Sequence, residues 1–280
     1  MTHSKERRDV VTLLAGRLAE SEKQRRPIPP LTEEYPDLSL ESAYRIQQLN
    51  IEQRLARGEQ LIGHKIGLTG KPMQEKFGVS EPDYGHLLDT MQLDVTRPLD
   101  LTSLIDPQIE VEPAFILGQK LQGPGLEVED VIAATEYVVA CYEIIDSRII
   151  NWQIKLQDTV ADNGSSARFV LGTEKVDPSS LALDDLETRL EFDGQLVESG
   201  NTRAILGHPA RGIAWLANRI AEYGVALEAG HVVLPGTCIR SSRLAGHRSV
   251  RGSIAGLGSV ELAIIGQPFI SPEGQQIQGD

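Results

Sequence analysis

Three glutamates have the residue type and spacing of ligands for a hard metal ion. Glu110 and Glu112 are separated by one residue, and side chains two positions apart on a strand lie on the same face. Glu143 interrupts the apolar, β-branched stretch 138–145, where an unpaired charge costs on the order of several kcal/mol. Oxygen ligands without a nearby cysteine or histidine pair favour Mg²⁺ or Mn²⁺. Such a site would leave coordination positions open for water and a chelating substrate.

Simpler interpretations of these carboxylates remain open from sequence alone. Glu110 and Glu112 could form part of a solvated outer face, and Glu143 could be protonated or paired with Arg148. The run 114–117 after the first two glutamates is apolar on both faces, which is typical of a strand buried on both sides. This pattern favours a buried start of the strand.

Two further segments carry chemistry-bearing residues. Lys65 interrupts a short apolar strand between Gly63 and Gly67, and such glycines allow a ligand or another backbone to approach closely. An ordinary surface lysine is the alternative. Residues 158–166 are dense in short polar side chains and are predicted to form a loop that offers hydroxyl and backbone donors, with a plain turn as the alternative.

The elements that must position these residues begin with helices. An amphipathic helix is predicted from the spacing of apolar residues at its start, and Ser39 is a candidate N-cap for a second helix. Between them, residues 26–31 contain three prolines and predict an extended path. We therefore expect a mostly helical N-terminal region over residues 1–60 and a catalytic domain over residues 61–280. The apolar positions are Val10, Leu13, Leu14 and Leu18 in the first helix, and Ala43, Ile46 and Leu49 in the second.

From residue 61 the pattern changes to short β-branched runs. Asp193-Gly194 separates two alternating runs and predicts a hairpin with a type I′ turn. His208-Pro209 opens a further predicted helix that ends at Gly224. Strands occur in runs without regular βα alternation, which favours an α+β fold around a mixed or antiparallel sheet. No common nucleotide-binding, hydrolase or zinc motif occurs in the sequence.

Composition excludes several classes of protein. The formal charge of −13 argues against nucleic-acid binding, which needs a concentrated basic face. Apolar runs are too short for a membrane span. The N-terminal segment lacks the apolar core of a secretory signal, and the two cysteines, Cys141 and Cys238, are predicted to be buried thiols rather than a disulfide framework. These features predict a cytoplasmic protein.

Six segments together resemble the hydratase/decarboxylase branch of the fumarylacetoacetate hydrolase superfamily, and most of all its 2-hydroxypenta-2,4-dienoate (2-keto-4-pentenoate) hydratases. They occur in order over nearly the whole chain, so the resemblance does not depend on any one short motif. The segments are GHKIGLT (63–69), GVSEPDYG (78–85), PQIEVEPAFIL (107–117), YEIIDSRIINWQIKLQDTVADNGSSARFVLG (142–172), LGHPARGIAWLA (206–217) and GLGSVEL (256–262).

The resemblance implies a fold, a cofactor and an assembly. The implied fold is α+β, a mixed β-roll of the fumarylacetoacetate hydrolase C-terminal-domain type with a smaller, mostly helical N-terminal region. The implied protein is a homo-oligomer that binds Mg²⁺ or Mn²⁺. The metal ligands of the family fall on Glu110, Glu112 and Glu143, which are the carboxylates that the residue pattern had already indicated.

The implied activity is the addition of water to a 2-hydroxy-2,4-dienoate, giving a 4-hydroxy-2-oxo acid in aromatic meta-cleavage catabolism. Lys65 is expected to hold the substrate carboxylate or move a proton, and Asp83 to position the water. The expected partner is therefore a small 2-oxo or 2-hydroxy acid, with association with a neighbouring pathway enzyme as a further expectation. The residues expected to bind substrate are Thr69, His86, Ser165 and Ser166.

Three other functions stay open from sequence alone. A 4-oxalocrotonate decarboxylase would need a cation for a second carboxylate, for which Arg168, Arg203 and Arg240 are candidates. A hydrolase of acylpyruvates would need a His–Glu pair to activate water, and the N-terminal half shows no clear pair. A non-catalytic partner subunit would not need an intact glutamate set.

Overall fold

A computed structural model describes residues 2–269, with the side chains of residues 9–269. Residues 270–280, the end of the predicted catalytic domain, lie outside the described residues. The helices are α1 (Thr2–Gln24), α2 (Leu31–Glu34), α3 (Leu40–Ala56), α4 (Lys71–Phe77), α5 (Val128–Ala134), α6 (Leu156–Ala161) and α7 (Pro209–Ala221). Within the described part of the chain, none of these helices is long and apolar enough to span a membrane.

The strands fall into two sheets. They are β1 (Leu61–Gly67), β2 (Asp83–Leu88), β3 (Leu99–Asp100), β4 (Gln108–Leu117), β5 (Thr135–Ile145), β6 (Ser166–Leu171), β7 (Glu187–Phe192), β8 (Gln195–Asn201), β9 (Val232–Leu234), β10 (Ser242–Arg243), β11 (Ser249–Ile254) and β12 (Gly258–Ile265). A seven-stranded sheet has the order β2-β1-β9-β4-β5-β6, with β10 paired to β4, and a five-stranded sheet has the order β3-β12-β11-β7-β8. Most pairs are antiparallel, but β1–β9 and β3–β12 are parallel. The predicted mixed α+β architecture is confirmed.

The N-terminal helices form where the sequence predicted them. Leu14 and Leu18 of α1 are buried, whereas Leu13 is 52% exposed and lies off the apolar stripe. The Ser39 hydroxyl caps α3 by accepting a hydrogen bond from the Ser42 amide at 3.1 Å. Between the helices, Ile28 of the proline-rich segment makes a β-bridge with Ile149, which confirms the extended path.

The helical region packs on the second half of the chain through an apolar cluster. Leu14, Leu31 and Ile46 lie in one buried cluster with Ile149 and Val160. These contacts place α1 and α3 over the segment that joins β5 to β6. That residues 1–60 form a region separate from the catalytic domain remains a prediction.

Strands β4 and β5 form the centre of the larger sheet and have two different faces. One face carries Ile109 and Val111 of β4 and Tyr142 of β5, which lie in the core shared with the five-stranded sheet. The Tyr142 hydroxyl crosses to that sheet and donates to the Val260 carbonyl at 2.6 Å. Because side chains alternate along a strand, the glutamates at 110, 112 and 143 lie on the opposite face.

The predicted hairpin and the late helix are confirmed. Asp193 and Gly194 both have positive φ, 51° and 78°, as a type I′ turn requires. The His208 Nδ1 atom accepts the Ala210 amide at 3.1 Å and caps α7. Gly224 follows the helix with φ 72°, a left-handed conformation that favours glycine.

The predicted loop at residues 158–166 was wrong in part, because its first half is helix α6. Asp158 is fully buried, and its carboxylate accepts the Lys155 amide at 2.9 Å at the start of this helix. The same carboxylate accepts the amide and the hydroxyl of Thr32 at 3.0 and 2.7 Å. Asp158 therefore joins α6 to α2, a structural role that leaves only residues 162–165 as a turn.

Candidate active site

A cluster of three glutamates lies on one face of β4 and β5. Glu110 and Glu143 are direct partners in the antiparallel register, and Glu112 is the partner of Cys141. One carboxylate oxygen from each glutamate lies within 4.8 Å of the others. Glu112 and Glu143 are fully buried, and Glu110 is partly buried. The structure thus brings together the three predicted metal ligands, and a solvated outer face is excluded.

The carboxylates of this cluster lack enough partners to be stable on their own. Glu112 Oε1 and both carboxylate oxygens of Glu143 have no hydrogen-bond partner among the described residues. Burial raises the pKa of Glu110 to about 8, with repulsion from Glu143 adding to the shift, and burial also raises the pKa values of Glu112 and Glu143. Buried carboxylates of like charge require a compensating cation. These orphaned oxygens fit a divalent ion with oxygen ligands.

Lys65 of β1 reaches this cluster across the short strand β9. Its Nζ atom lies 3.6 Å from Glu143 Oε2, and the residue is only 5% exposed, so it is not a surface lysine. Burial by itself lowers the pKa of Lys65, but the carboxylates around it, Glu143 and Asp83 above all, outweigh burial and raise that pKa. Lys65 is therefore a buried ammonium group held beside the glutamates.

Asp83 of β2 completes the buried charged group. It is paired with Gly67 of β1, is 3% exposed, and its Oδ1 atom has no hydrogen-bond partner among the described residues. Burial raises the pKa of Asp83, and the Lys65 ammonium partly offsets that rise. A Cβ atom added at Gly67 would lie 2.2 Å from Asp83 Oδ1. Glycine at this position thus leaves the space that the Asp83 carboxylate occupies.

Arg148 does not pair with Glu143, which was one of the open alternatives. Its guanidinium lies 2.5 Å from Asp162 Oδ1 and donates to the carbonyls of Asp146 and Asp162. Since Arg148 is occupied elsewhere, the only cation in ion-pair contact with Glu143 among the described residues is Lys65.

A cavity of about 870 Å³ opens onto this charged group. Lys65, Asp83 and Glu110 belong to its polar lining, whereas Glu112 and Glu143 are not among the lining residues. Its apolar part includes side chains from the segment after β1, from α4 and from the segment between β5 and α6. These apolar lining residues include Leu68, Met73, Phe77, Trp152 and Ile154.

The segment 236–241 forms another wall of this cavity, and Arg240 was its only residue that the sequence indicated as a substrate contact. The Gly236 amide donates to Glu112 Oε2 at 2.8 Å, and Ser241 Oγ donates to Gln108 Oε1 at 2.7 Å. Gly236 has φ 103°, so the glycine after Leu234-Pro235 was the available signal for a sharp turn out of β9. Cys238 is only partly buried and lines the cavity, which corrects the expectation that both cysteines are buried.

Two of the four expected substrate-binding residues lie in the cavity wall. Thr69 and Ser165 are both buried and line it, and Ser165 Oγ lies 3.4 Å from Thr159 Oγ1. Ser166 does not line it, because the turn at 163–165 directs the next residue to a different cavity between α1 and α3. We therefore give Ser166 no substrate contact.

His86 is not brought to the cavity, which corrects its expected role. On β2 it is paired with His64, whereas Gly85 is paired with Lys65, so the histidines lie on the face opposite to Lys65. The His86 ring packs 5.0 Å from the His64 ring, and burial lowers the pKa of His86 to about 4. Asp83 and His86 are three residues apart, an odd spacing that already placed them on opposite faces of a strand.

Of the three candidate arginines for a second carboxylate, only Arg240 lines the cavity. Arg203 is paired with Asp185 at 3.1 Å on the surface, and Arg168 lines a separate cavity. No histidine of the described residues lines the cavity, so the His–Glu pair expected for an acylpyruvate hydrolase is absent from its described wall.

Comparisons with known proteins show which family and which relatives this chain is similar to. The family model described as "Fumarylacetoacetate (FAA) hydrolase C-terminal" matches residues 85–265. The chain is 45% identical over 223 residues to 2-hydroxyhexa-2,4-dienoate hydratase of Comamonas testosteroni, covering 79% of this chain and 84% of that protein. It is 44% identical over 218 residues to 2-hydroxypent-2,4-dienoate hydratase of Pseudomonas putida, covering 78% and 98%.

A solved structure shows the same fold over nearly the whole chain. This is 4-oxalocrotonate decarboxylase from Pseudomonas putida G7, complexed with magnesium and adipate. The TM-score is 0.86 at 34% identity, and the match covers 92% of this chain and 98% of the decarboxylase. The predicted β-roll with a helical N-terminal region is thereby confirmed.

Proposed function

Because the chain belongs to the fumarylacetoacetate hydrolase family, we propose that it is a metal-dependent hydro-lyase of the 2-keto-4-pentenoate hydratase type. It adds water to a 2-hydroxy-2,4-dienoate and gives a 4-hydroxy-2-oxo acid, a reaction of aromatic meta-cleavage catabolism. The relatives named as hydratases at 44–45% identity support this reaction.

One observation carries the proposal. Three glutamate carboxylates lie within 4.8 Å of one another, beside a buried Lys65 and at the wall of a cavity. A non-catalytic subunit would have no reason to keep this arrangement, because buried like charges destabilise the fold when no cation compensates them. The cluster therefore favours an enzyme over a scaffold.

Glu110, Glu112 and Glu143 would hold the metal ion, Mg²⁺ or Mn²⁺. When bound, the ion supplies Lewis-acid polarisation of the C2 oxygen of a substrate that chelates through its C1 carboxylate and C2 oxygen. The Gly236 amide donates to Glu112 Oε2 and leaves Glu112 Oε1 without a partner. This hydrogen bond fixes the orientation of one ligand before any ion binds.

Lys65 and Asp83 would carry the proton transfers. In the first step the C2 hydroxyl would pass its proton to the Asp83 carboxylate while C5 gains a proton from the Lys65 ammonium, which gives an α,β-unsaturated 2-oxo acid. Transfer of the proton from Asp83 to Lys65 would then restore both groups. Lys65 is a buried ammonium next to Glu143 and is the group that can deliver a proton. In the second step water adds across C3 and C4, the hydroxyl to C4 and the proton to C3. Asp83, with an unpartnered Oδ1 atom, would orient this water, accept its proton and pass that proton to C3.

Thr69 and Ser165 would bind the substrate. Both side chains line the cavity near Lys65. A Cβ atom added at Gly164, the residue before Ser165, would lie 3.3 Å from Lys65 Nζ, so the turn at 163–165 passes directly over the lysine. The Ser165 hydroxyl can therefore donate to a carboxylate that the Lys65 ammonium also contacts.

The test is an assay of purified protein with 2-hydroxypenta-2,4-dienoate and Mg²⁺. We expect loss of the dienol absorbance together with formation of a 4-hydroxy-2-oxo acid, and no turnover after the metal has been removed. Unchanged dienol, or the same rate in metal-free protein, would refute the proposal.

A decarboxylase of the 4-oxalocrotonate type is the second candidate. It is favoured by Arg240, a cation in the cavity wall that could bind a distal carboxylate. The same assay with 2-oxo-3-hexenedioate distinguishes the two reactions, since decarboxylation releases CO₂ and hydration does not. CO₂ release with no hydrated product from either substrate would make decarboxylation the activity.

We also propose that the enzyme acts in the cytoplasm as a homo-oligomer and associates with the enzyme of a neighbouring step. The support is the family to which the chain belongs. Sedimentation of the purified protein alone tests the homo-oligomer. Sedimentation of a mixture with the enzyme of the neighbouring step tests the association between the two enzymes.

A further inference from the structure

A second cavity, of about 380 Å³, lies where the end of α1 meets the segment 102–105 and the start of β6. It shares no lining residue with the glutamate cavity. Its wall carries more cations than carboxylates, although the chain as a whole has a formal charge of −13. The cations are Lys23, Arg25, Arg148 and Arg168, and the carboxylates are Glu22 and Asp146.

The two carboxylates are engaged with other groups. Glu22 lies 3.7 Å from an arginine outside this cavity, Arg54. Asp146 is buried and accepts the amides of Ile105 and Asp106 at 2.8 and 2.7 Å. Neither carboxylate forms an ion pair with a cation of the cavity wall among the described residues. Lys23 lies 4.0 Å from Glu20 and Arg148 lies 2.5 Å from Asp162. Arg25 and Arg168 are the two wall cations left without an ion-pair partner in that part of the chain.

The guanidinium groups of Arg148 and Arg168, both in this wall, differ in their partners. Arg148 is fully engaged with Asp162 and with three backbone carbonyls. Arg168 donates a single hydrogen bond, to the carbonyl of the neighbouring Ala167 at 2.8 Å. In the part of the chain that the structure describes, no carboxylate lies within ion-pair distance of Arg168.

Arg168 is also partly buried, which makes its lack of a partner costly. A guanidinium has five N–H donors in a planar fork, and burial without an anion leaves its charge uncompensated. Arg25 lies in the same wall and donates to the Thr102 carbonyl. Ser103, also in the wall, offers a hydroxyl.

We propose that this cavity binds a small oxyanion, a carboxylate or a phosphate, on the Arg168 guanidinium. The planar fork of Arg168 matches two oxygens of either group. Lys23 and Arg25 add positive charge at the solvent side of the cavity. The site is separate from the glutamate cluster and does not depend on the reaction proposed above.

The experiment is calorimetric titration of the Mg²⁺-loaded protein with inorganic phosphate and, separately, with acetate. We expect at least one of the two anions to bind, and the one that binds more tightly identifies the preferred chemistry. In Arg168→Met the affinity should fall by about tenfold or more, since a bidentate charge-assisted contact is lost. Arg168→Lys, which keeps the charge without the fork, should show a smaller loss and gives a second variant if the methionine protein does not fold.

Two controls locate the anion. Arg203→Met, which removes an exposed arginine paired with Asp185, should leave the affinity unchanged. Arg251→Met, at an exposed arginine beside Glu191, should also leave it unchanged. No binding of either anion to wild-type protein, wild-type affinity in both Arg168→Met and Arg168→Lys, or an equal loss of affinity in the two control variants would overturn the proposal.

Discussion

Glu110 of β4 and Glu143 of β5 are direct cross-strand partners, so their carboxylates lie side by side on the same face of the sheet. Like charges in this position normally destabilise a strand pair. Glu143 is also fully buried and Glu110 is partly buried, and Lys65 is the only cation in ion-pair contact with either of them among the described residues. This relationship explains why a divalent ion is expected between the two strands.

Glu143→Gln should abolish metal-dependent ligand binding, because a neutral amide is a much weaker ligand for a hard cation. We expect the affinity for oxalate, a chelating substrate mimic, measured in the presence of Mg²⁺, to fall by about 100-fold or more. Changes to residues that only contact a metal ligand typically cost about 10- to 100-fold, and the loss of a ligand itself should cost at least as much. Titration calorimetry measures it.

Glu136→Gln is the matched control for this change, since Glu136 lies on the same strand but is exposed. It should bind as the wild type does. The metal-free Glu143→Gln protein should unfold at the same or a higher temperature than metal-free wild type, because one buried charge is gone. Retained Mg²⁺–oxalate binding in Glu143→Gln would contradict the assignment.

Lys65→Met should reduce kcat/KM by roughly 10² to 10⁴, the usual contribution of a positioned proton-transfer group. Metal affinity should stay or rise, because an ammonium that competes for Glu143 is removed. Steady-state kinetics and Mg²⁺ titration measure the two effects separately.

Lys120→Met provides the comparison for Lys65, since Lys120 is an exposed lysine paired with Glu228. This variant should keep wild-type kinetics. If Lys65→Met also kept them, Lys65 would have a purely structural role beside the glutamates.

Gly67→Ala should impair catalysis without impairing metal binding. The added Cβ would lie 2.2 Å from Asp83 Oδ1 and so displaces that carboxylate, and a misplacement of about 1 Å can cost about 10² in rate. The glutamates lie on other strands, so Mg²⁺ affinity should be unchanged. Gly16→Ala, in α1 with nothing within 4 Å of the new Cβ, should keep full activity. Equal activity of both variants would remove Asp83 from the mechanism.

His86 should make the protein less stable in mild acid. Burial lowers its pKa from 6.5 to about 4, so below about pH 6.5 the unfolded chain takes up a proton that the folded protein does not. The free energy of unfolding should therefore be unaffected by His86 above that pH and fall by about 2 kcal/mol on going from about pH 7.5 to about pH 5. Urea unfolding of the Mg²⁺-loaded protein measures it.

His86→Phe should remove this part of the acid sensitivity, because phenylalanine does not titrate. His247→Phe, at a solvent-accessible histidine stacked on Phe192, should keep it. If the free energy of unfolding of His86→Phe fell between the two pH values by as much as that of the wild type, His86 would not contribute to the acid sensitivity.

Much of the local structure could be predicted from sequence because it depends on neighbouring residues. The Ser39 cap, the Asp193-Gly194 turn and the helix opened by His208 are set by hydrogen bonds and backbone angles within a few positions. The shared face of two glutamates one residue apart follows from strand alternation. A charge in an apolar strand, as at Glu143, already indicated that a compensating partner was needed.

The composition of the site was decided by tertiary structure. That Glu143 faces Glu110 rather than Glu112 depends on the register between β4 and β5, and that Lys65 reaches Glu143 depends on β9 being inserted between β1 and β4. The Gly236 amide meets Glu112 across 124 positions of sequence, and Asp83 meets Gly67 through the pairing of β1 with β2. Local sequence patterns fix which face of a strand a side chain occupies. Only long-range pairing fixes which strands become neighbours and at what register. That pairing sets the distances between the carboxylates and the lysine, and these distances decide the chemistry of the site.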